Sequence, residues 1–415
     1  MISGKLLMLQ SSSRSMKALE GVRVIDMGHV LAGPTAAMIL ADLGAEVIHV
    51  ESPQGDDARQ YGPFAGEVDP NRSGYFISLN RNKKSIVLNL KTDGGREVLR
   101  DLIEVSDVLI ENFRSDTMDK LGFGWENVHG INPRIVYASI SGFGHDALED
   151  YAKKPSYDMI AQAFSGLMSI TGPLNGEPCR VGSSIGDIIS GTHAAIAILA
   201  ALMAREKTGE GQYYDGSMVD SLFYTLENAL VRYTIGNEIP KPLGTMHPTI
   251  APFQVYKTRD RWIAVAVGND KLWRVFCENI LKRPELTDDL RFVTNPLRVQ
   301  NRDALNEIIE GEMSKKSYDE WAVLFEHHGV PYGPINSIKD VCEDKNLNYR
   351  GMIVEVDQPE VGKVKIVGSP FKLSKTPGQV YAPAPSLGQH TKEILEDVLG
   401  YSAERIVKLE KEQAI

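Results

Sequence analysis

The chain has 415 residues, of which 42% are hydrophobic and 24% charged, a balance typical of a folded globular protein with more than one domain. Its net charge of −10, without a long basic run, gives nucleic-acid binding no electrostatic support. The three cysteines lie far apart and the nine histidines show no zinc-ligand spacing, which argues against a disulfide framework and against a metal enzyme.

No apolar run approaches the roughly 20 residues that a bilayer span needs, so we expect a soluble protein without a membrane partner. The first residues contain no acid and are rich in serine, as in a transit peptide, but the segment is short. We predict a disordered extension over residues 1–18. The expected location is the cytoplasm, or the mitochondrial matrix if the source is eukaryotic.

From residue 22 the chain alternates short apolar runs with segments of helical periodicity. The runs predicted as strands are 22–26, 46–50, 85–90, 107–110, 134–139 and 212–215. The predicted helices of this part are 35–43, 92–105, 157–170, 188–207 and 217–235. This alternation predicts an α/β fold, with a parallel sheet that helices cover on both faces.

Ligands of such sheets bind beyond the carboxyl ends of the strands. The segments His29–Gly33, Asn112–Arg114 and Ser141–Gly144 follow predicted strands and are the first candidates for a site. The residues Gly28–Pro34 do not have the spacing of a dinucleotide-binding fingerprint, so Glu51 after the second strand is weak evidence for a nicotinamide cofactor.

Beyond a proline-rich stretch at 236–252, the pattern changes to hairpins and helices. The predicted hairpins pair 253–257 with 262–267 and 352–356 with 363–367, and the predicted helices are 271–280, 299–313 and 318–327. The turn Ala266–Asp270 has an ordinary explanation as a strand-to-helix connection. A glycine there also suits a mobile flap over a reactive intermediate.

Asp187 immediately precedes a predicted helix, where an aspartate is commonly an N-cap. The same position would keep the carboxylate ionised, as a nucleophile must be, so both interpretations stay open. Asp158 could pair with Asp187, but the spacing neither supports nor excludes it. Basic residues near the predicted sheet edge could bind phosphates or form ordinary solvated surface. They are Lys83, Lys84, Lys91, Arg114 and Lys120.

Motifs along nearly the whole chain then resemble the class III CoA-transferases, which include formyl-CoA transferase and the carnitine CoA-transferases. The motifs are Leu19–Asp26, His29–Pro34, Leu43–Ile48, Asn80–Ile86, Glu111–Phe113, Ser141–Gly144, Tyr157–Asp158 with Gln162, Gly186–Asp187, Lys207–Gly209, Gly329–Pro331 and Leu387–His390. The resemblance implies that Asp187 is the catalytic nucleophile and that no cofactor is permanently bound, with coenzyme A and acyl-CoA as substrates.

The resemblance also implies the residues that contact the substrates. Those expected to bind CoA are His29, Val30, Leu31, Ala32, Arg59, Leu88, Lys91, Asn112, Phe113, Arg114 and Lys120. Those expected near the acyl group are Tyr157, Asp158, Gly268 and Asn269, although the glycine run of formyl-CoA transferase is longer than the single Gly268. Arg180 is expected either to pair with a distal substrate carboxylate or to lie on the surface.

The implied architecture is an interlocked-ring homodimer. Each chain is expected to have a Rossmann-like large domain over 19–225, a linker at 226–252, a small α+β domain at 253–330 and a return segment at 331–415 that completes the large domain. The implied reaction moves CoA from succinyl-CoA to a short carboxylic or dicarboxylic acid. The alternatives are a 2-methylacyl-CoA racemase of the same fold, disfavoured because Tyr157 stands where that enzyme has histidine, and a non-catalytic CoA-binding protein.

Overall fold

The computed structural model describes residues 16–415, so that most of the predicted N-terminal extension lies outside the described residues. The strands are β1 (Arg23–Asp26), β2 (Glu46–Glu51), β3 (Lys83–Val87), β4 (Val108–Glu111), β5 (Val136–Ser141), β6 (Tyr213–Ser217), β7 (Phe253–Lys257), β8 (Trp262–Ala266), β9 (Tyr332–Pro334), β10 (Ile353–Gln358) and β11 (Gly362–Val367).

The helices are α1 (Ala32–Asp42), α2 (Gly74–Leu79), α3 (Asp93–Glu104), α4 (Thr117–Leu121), α5 (Trp125–Ile131), α6 (Glu149–Ala152), α7 (Asp158–Phe164), α8 (Leu167–Ile170), α9 (Ile185–Thr208), α10 (Met218–Phe223), α11 (Glu227–Thr234), α12 (Asp270–Val275), α13 (Asn295–Gln300), α14 (Arg302–Met313), α15 (Tyr318–His328), α16 (Ile338–Glu343), α17 (Lys345–Tyr349), α18 (Thr391–Glu393) and α19 (Ala403–Lys411). Short 3₁₀ turns cover Asp57–Gln60, Pro70–Arg72 and Pro284–Thr287, and π-helical turns cover Phe276–Leu281 and Ile394–Val398.

The predicted parallel sheet is confirmed. Its six strands lie in the order β3-β2-β1-β4-β5-β6, and every neighbouring pair is parallel. Because parallel strands end at one edge, the loops after β1, β4 and β5 meet there. The fold is therefore mixed α/β, with its strand order reversing between β1 and β4.

The chain divides into two compact units. The first contains the residues up to Ser165 together with Gly182–Glu227 and Lys345–Ile415, and it holds the six-stranded sheet and the β10–β11 hairpin. The second contains Gly166–Val181 and Asn228–Asp344. Its antiparallel sheet has the order β7-β8-β9, so the predicted first hairpin is confirmed and carries a third, short strand that the sequence did not signal.

Two predicted helices are interrupted. Residues 157–170 form α7 and α8, because Gly166 between them has a φ of +90° that ends the helical path. Residues 217–235 form α10 and α11, and α11 lies entirely within the segment 226–252 that was expected to be a linker.

Helices cover both faces of the six-stranded sheet. On one face, α1 and α9 pack their alanines and Ile198 against β1, β4 and β5. Their close approach needs a glycine, because a Cβ at Gly191 of α9 would lie 2.6 Å from the carbonyl oxygen of Ala32 at the start of α1. This contact sets the beginning of α9 beside the loop that leads into α1.

Among the described residues, α9 is the one helix long and apolar enough to cross a membrane, with a mean hydropathy of 1.7. This corrects the expectation that no stretch reaches that length. The same helix buries Ala194 and Ile198 against the sheet. A core helix of an α/β domain passes the same test of length and composition, so the finding is weak evidence for a membrane span.

Candidate active site

A cavity of about 380 Å³ opens at the carboxyl edge of the six-stranded sheet. The loops after β1, β4 and β5 form its walls, together with the first turn of α9 and the start of α10. The residues expected from sequence that line it are His29, Val30, Leu31, Ala32, Asn112, Phe113, Arg114, Ser141, Gly142, Tyr157 and Asp187. The structure thus brings together side chains that are up to 158 positions apart, from His29 to Asp187.

Asp187 is the third residue of α9 and projects into this cavity. The interpretation of Asp187 as the N-cap is wrong, since Ser184 is the cap residue and makes no side-chain capping bond. Burial, and then the negative charge of Asp158, raise the pKa of Asp187 from its ordinary value of 3.8 to about 7. The expectation that the helix start keeps this carboxylate firmly ionised is therefore also wrong.

Asp158 supports the first turn of α9 from the neighbouring helix α7. Its Oδ1 accepts a 2.8 Å hydrogen bond from the backbone N–H of Gly186, and its Oδ2 accepts one of 2.8 Å from Gln162 Nε2. Gly186 leaves room for this contact, because a Cβ there would lie 3.0 Å from Asp158 Oδ1 and would press the carboxylate away. Asp158 and Asp187, whose pairing the sequence spacing could not decide, are thus adjacent. Asp158 is buried, and Asp187 faces the cavity.

The loop that enters α1 is tied to the loop that follows β4. Asn112 Oδ1 accepts a 2.7 Å hydrogen bond from the backbone N–H of His29, and Asn112 Nδ2 donates one of 3.0 Å to the carbonyl oxygen of His29. The rings of His29 and Phe113 meet edge to face, with their centroids 4.9 Å apart. The two loops therefore form one continuous wall of the cavity.

Tyr75 lies near the candidate nucleophile, although sequence reasoning did not find it. Burial, and then the negative charge of Asp187, raise the pKa of the Tyr75 phenol, against the effect of a hydrogen bond with Ser184. Its ring packs edge to face on Tyr61, with 5.6 Å between the centroids. A single tyrosine in the short helix α2 carries no local signal, because only the fold places it beside α9.

The comparisons with known proteins agree with one another. The sequence model of CoA-transferase family III matches residues 19–391. A succinyl-CoA:glutarate CoA-transferase of Mus musculus is 42% identical over 401 residues, which is 96% of this chain and 91% of that protein. A succinate–glutarate CoA-transferase of Agrobacterium fabrum is 39% identical over 384 residues, 92% of this chain and 95% of that protein.

The chain belongs to CoA-transferase family III. A crystal structure of a CAIB/BAIF family protein from Brucella suis has the same fold, with a TM-score of 0.80 and 36% identity over 92% of this chain and 99% of that one. The resemblance drawn from the motifs is confirmed, and the protein is an enzyme of this class. Among residues 16–415, no group of three or more His, Cys, Asp and Glu side chains is placed to hold a metal ion.

The basic residues of this CoA-transferase are arranged differently from the cluster that the sequence suggested. Lys83 is fully buried and donates a 2.8 Å hydrogen bond to Asp26, and Lys84 pairs with Glu46 and Glu393. Of the five predicted residues, Arg114 alone lines the cavity, where it is joined by Lys153 and Lys154. The sequence signal for these two was a pair of lysines three and four residues before Tyr157, and it was missed.

Four residues expected to bind CoA do not line the cavity of this chain. Arg59 and Leu88 are buried, and the guanidinium of Arg59 is held by both carboxylate oxygens of Glu51 at 2.6 and 2.8 Å. Lys91 and Lys120 are exposed. For these four residues, CoA binding stays a prediction.

Gly268 and Asn269 belong to the second unit, at the junction between β8 and α12. Asn269 is the N-cap of α12, where its Oδ1 accepts a 2.9 Å hydrogen bond from the backbone N–H of Leu272. The next residue, Asp270, pairs at 2.6 Å with the fully buried Arg298. Among the described residues, no atom beyond its chain neighbours lies within 4 Å of where a Cβ on Gly268 would be, so the loop is open at Gly268 and anchored at Asp270.

Proposed function

We propose that this CoA-transferase moves CoA from succinyl-CoA to a short dicarboxylic acid, with Asp187 as the covalent nucleophile. The observation that carries the proposal is the position of the Asp187 carboxyl, which faces a cavity lined by Arg114, Lys153 and Lys154. Guanidinium and ammonium groups are the usual partners of phosphates, which CoA carries. The relatives from Mus musculus and Agrobacterium fabrum are both named for succinate and glutarate.

In the proposed reaction, an ionised Asp187 oxygen attacks the carbonyl carbon of the donor thioester. The C–S bond breaks, CoA thiolate leaves, and an aspartyl–acyl mixed anhydride remains. The thiolate then attacks the Asp187 carbonyl carbon, which releases the donor carboxylate and leaves an aspartyl–CoA thioester. An acceptor carboxylate reverses these two steps. Because the thioester bond is exchanged and never hydrolysed, no nucleotide is consumed.

We assign the contact with CoA to the wall formed by His29–Ala32 and Asn112–Arg114, with Arg59, Leu88, Lys91 and Lys120 as predicted further contacts. Tyr157 is 70% exposed at the cavity and is proposed to meet the acyl group. The loop Gly268–Asn269 is proposed to keep water from the anhydride.

The rate of transfer should depend on pH through Asp187. Because its pKa is raised to about 7, we expect kcat/KM for succinyl-CoA to rise with pH and to level off above about 8. Asp158→Asn removes one cause of the raised pKa and keeps an oxygen for the Gly186 N–H, so the midpoint should move to lower pH. Initial rates measured between about pH 5.5 and 9 would show this.

Asp57→Asn is the matched control for this pH profile, because Asp57 lines the same cavity but does not contribute to the raised pKa of Asp187. Its midpoint should stay at the wild-type value. A wild-type profile that is flat between pH 6 and 8 would contradict the assignment of the titrating group to Asp187, and so would a midpoint in Asp158→Asn identical to that of wild type.

We also propose that the two units are the large and small domains of an interlocked homodimer. The helix α9 leaves Ile196 and Met203, two turns apart on one face, 59% and 73% exposed. Tyr224, just after α10, is 79% exposed. Apolar side chains clustered at a surface are typical of an interface.

Met203→Asp should therefore weaken the dimer, as measured by light scattering after size-exclusion chromatography. Val323→Asp on α15 is the control, since Val323 is 69% exposed and belongs to the second unit, not to α9. A wild-type protein that stays monomeric at micromolar concentration would contradict the proposal.

The experiment that tests the function mixes the enzyme with succinyl-CoA and a panel of free acids: glutarate, mesaconate, oxalate, citramalate and monocarboxylates. Mass detection of new CoA esters should show transfer to the dicarboxylates. Exchange of an α-proton in D₂O without a new ester would instead indicate a racemase. Binding of CoA with neither transfer nor proton exchange would indicate a non-catalytic binding protein. Consistent with the substrates, we propose a cytoplasmic location, or the mitochondrial matrix in a eukaryote.

A further inference from the structure

Three successive backbone N–H groups at the entrance to α1 each donate to a side chain, the first to Asp26 at the end of β1 and the next two to side chains from other loops of the sheet edge. The N–H of Gly28 donates to Asp26 Oδ1 at 2.9 Å, and that of His29 donates to Asn112 Oδ1 at 2.7 Å. The N–H of Val30 donates to Asp56, at 3.0 Å to Oδ1 and 3.3 Å to Oδ2. The conformation of the cavity wall at this point is therefore imposed by side chains.

The imposed conformation is one that the sequence alone would not choose. Val30 has a φ of +62°, in the left-handed region that β-branched residues avoid. A valine persists there only if the surroundings hold it. The bonds to Asn112 and Asp56 on successive N–H groups are what holds it.

Behind this loop lies a buried charged cluster, which we call the His49 cluster: His49, Asp26, Asp56 and Lys83. His49 Nδ1 lies 3.1 Å from Asp26 Oδ2, and His49 Nε2 lies 3.6 Å from Asp56 Oδ2. Lys83 Nζ donates to Asp26 Oδ2 at 2.8 Å. The side chains of all four residues are at most 1% exposed. The imidazole thus lies between the two carboxylates that bind the N–H groups of Gly28 and Val30, within hydrogen-bond distance of Asp26 and in a longer ion-pair contact with Asp56.

The charges of the His49 cluster are balanced only if the imidazole is protonated. Although burial opposes a charge on His49, Asp26 and Asp56 raise its pKa to about 9. Burial also opposes the charge on Asp56, and His49 nevertheless holds the pKa of Asp56 below its ordinary value. Glu51, which contributes to the raised pKa of His49, has its own partner in Arg59. A neutral imidazole would leave one carboxylate facing a ring nitrogen lone pair.

We propose that His49 is a positioning residue for CoA binding: by bridging Asp26 and Asp56 it fixes the strained His29–Val30 segment, so that the loop is preformed for the acyl-CoA. The inference rests on the proposed function, because it assumes that this wall of the cavity contacts CoA. His49 itself lies in a strand, does not line the cavity and takes no part in the proposed chemistry.

The test uses His49→Gln and Asp56→Asn in the full-length enzyme. Both variants keep a polar group of similar size and remove one charge of the bridge. We expect the KM for succinyl-CoA to rise by about tenfold or more and kcat to fall far less. The variants lose contacts with CoA that are equally strong in the ground state and in the transition state, and such a loss raises KM without lowering kcat. Titration calorimetry with desulfo-CoA, which cannot react, should show a similar loss of affinity.

Asp42→Asn is the matched control. Asp42 is 3% exposed, bonds to Arg81 and Asn82, and lies at the far end of α1 from the loop. It should lower the thermal stability of the enzyme but leave KM and desulfo-CoA affinity near the wild-type values. Should His49→Gln fail to fold, Asp56→Asn carries the test alone, since it keeps the size of the side chain and removes the negative charge that pairs with His49.

Wild-type binding of desulfo-CoA, together with unchanged affinity and KM in Asp56→Asn and in any folded His49→Gln, would overturn the inference and leave the proposed function intact. A wild-type enzyme that neither binds desulfo-CoA nor transfers CoA would overturn the proposed function and the inference with it. A selective rise in KM in the cluster variants, absent from Asp42→Asn, supports the inference.

Discussion

Asp187→Ala should lower the rate of CoA transfer by roughly 10³-fold or more, because the proposed reaction passes through a covalent intermediate on Asp187 and has no alternative route without that carboxyl. In the structure, the Asp187 carboxyl faces the cavity while Asp158 is buried and bound to Gly186 and Gln162. Asp158 is therefore not positioned to replace it. The measurement is the initial rate of glutaryl-CoA formation from succinyl-CoA and glutarate.

Asp187→Asn is the control that separates chemistry from folding. Since the pKa of Asp187 is raised from 3.8 to about 7, the folded state holds the proton more tightly than the unfolded state does. Ionised Asp187 therefore destabilises the fold, a cost absent below about pH 4 and complete above about pH 7. The Asp187→Asn variant should thus be inactive. At pH 8 its free energy of unfolding should exceed that of wild type by about 1–3 kcal/mol, a figure reduced for the partial exposure of Asp187. At pH 4 it should be no more stable than wild type.

Retained transfer in Asp187→Asn would move the nucleophile to another residue, with Asp158 the first to test. An inactive variant that is less stable than wild type at pH 8 would show that the carboxylate has a structural role instead. Chemical denaturation at the two pH values distinguishes these outcomes.

Arg59→Met should lower the free energy of unfolding by about 3–5 kcal/mol, because removing one partner of a buried ion pair leaves the other charge uncompensated. Arg59 and Glu51 are both fully buried side chains in bidentate contact. The guanidinium also donates to the carbonyl oxygen of Pro385 at 3.1 Å and stacks 3.5 Å from the centre of the Phe76 ring. Urea denaturation at neutral pH measures the effect.

Lys91→Met is the matched control, since Lys91 was also expected to bind CoA but is exposed. This substitution should change the free energy of unfolding by no more than about 0.5 kcal/mol. If Arg59 acted only as a CoA contact, Arg59→Met would raise the KM for succinyl-CoA and leave the unfolding midpoint unchanged. That result would contradict the structural role.

The fold was largely predictable from sequence, because buried parallel strands and their helices have distinct periodicities. The strands from β1 to β6 overlap the apolar runs that predicted them, although β3 begins at Lys83 and not at Ser85. The interruptions of the predicted helices were less visible. Gly166 at a φ of +90° ends α7, but a glycine within a helical pattern is often tolerated.

The ionisation and pairing of the site residues could not be predicted, because they depend on neighbours distant in sequence. Lys83 looked like a surface cation and is instead buried against Asp26, 57 positions away. Asp187 looked like an ionised helix-start carboxylate, yet burial and Asp158 raise its pKa. The motifs identified the family and placed Asp187, but they gave no indication of the His49 cluster, since its members have ordinary strand and loop positions.

The most direct test of the account is to incubate the enzyme with succinyl-CoA, add sodium borohydride, and sequence the peptide that contains residue 187 by mass spectrometry. Borohydride reduces an aspartyl–CoA thioester to the alcohol, so we expect Asp187 to become homoserine only when succinyl-CoA is present. An unmodified Asp187 peptide from enzyme that is turning over substrate would contradict it.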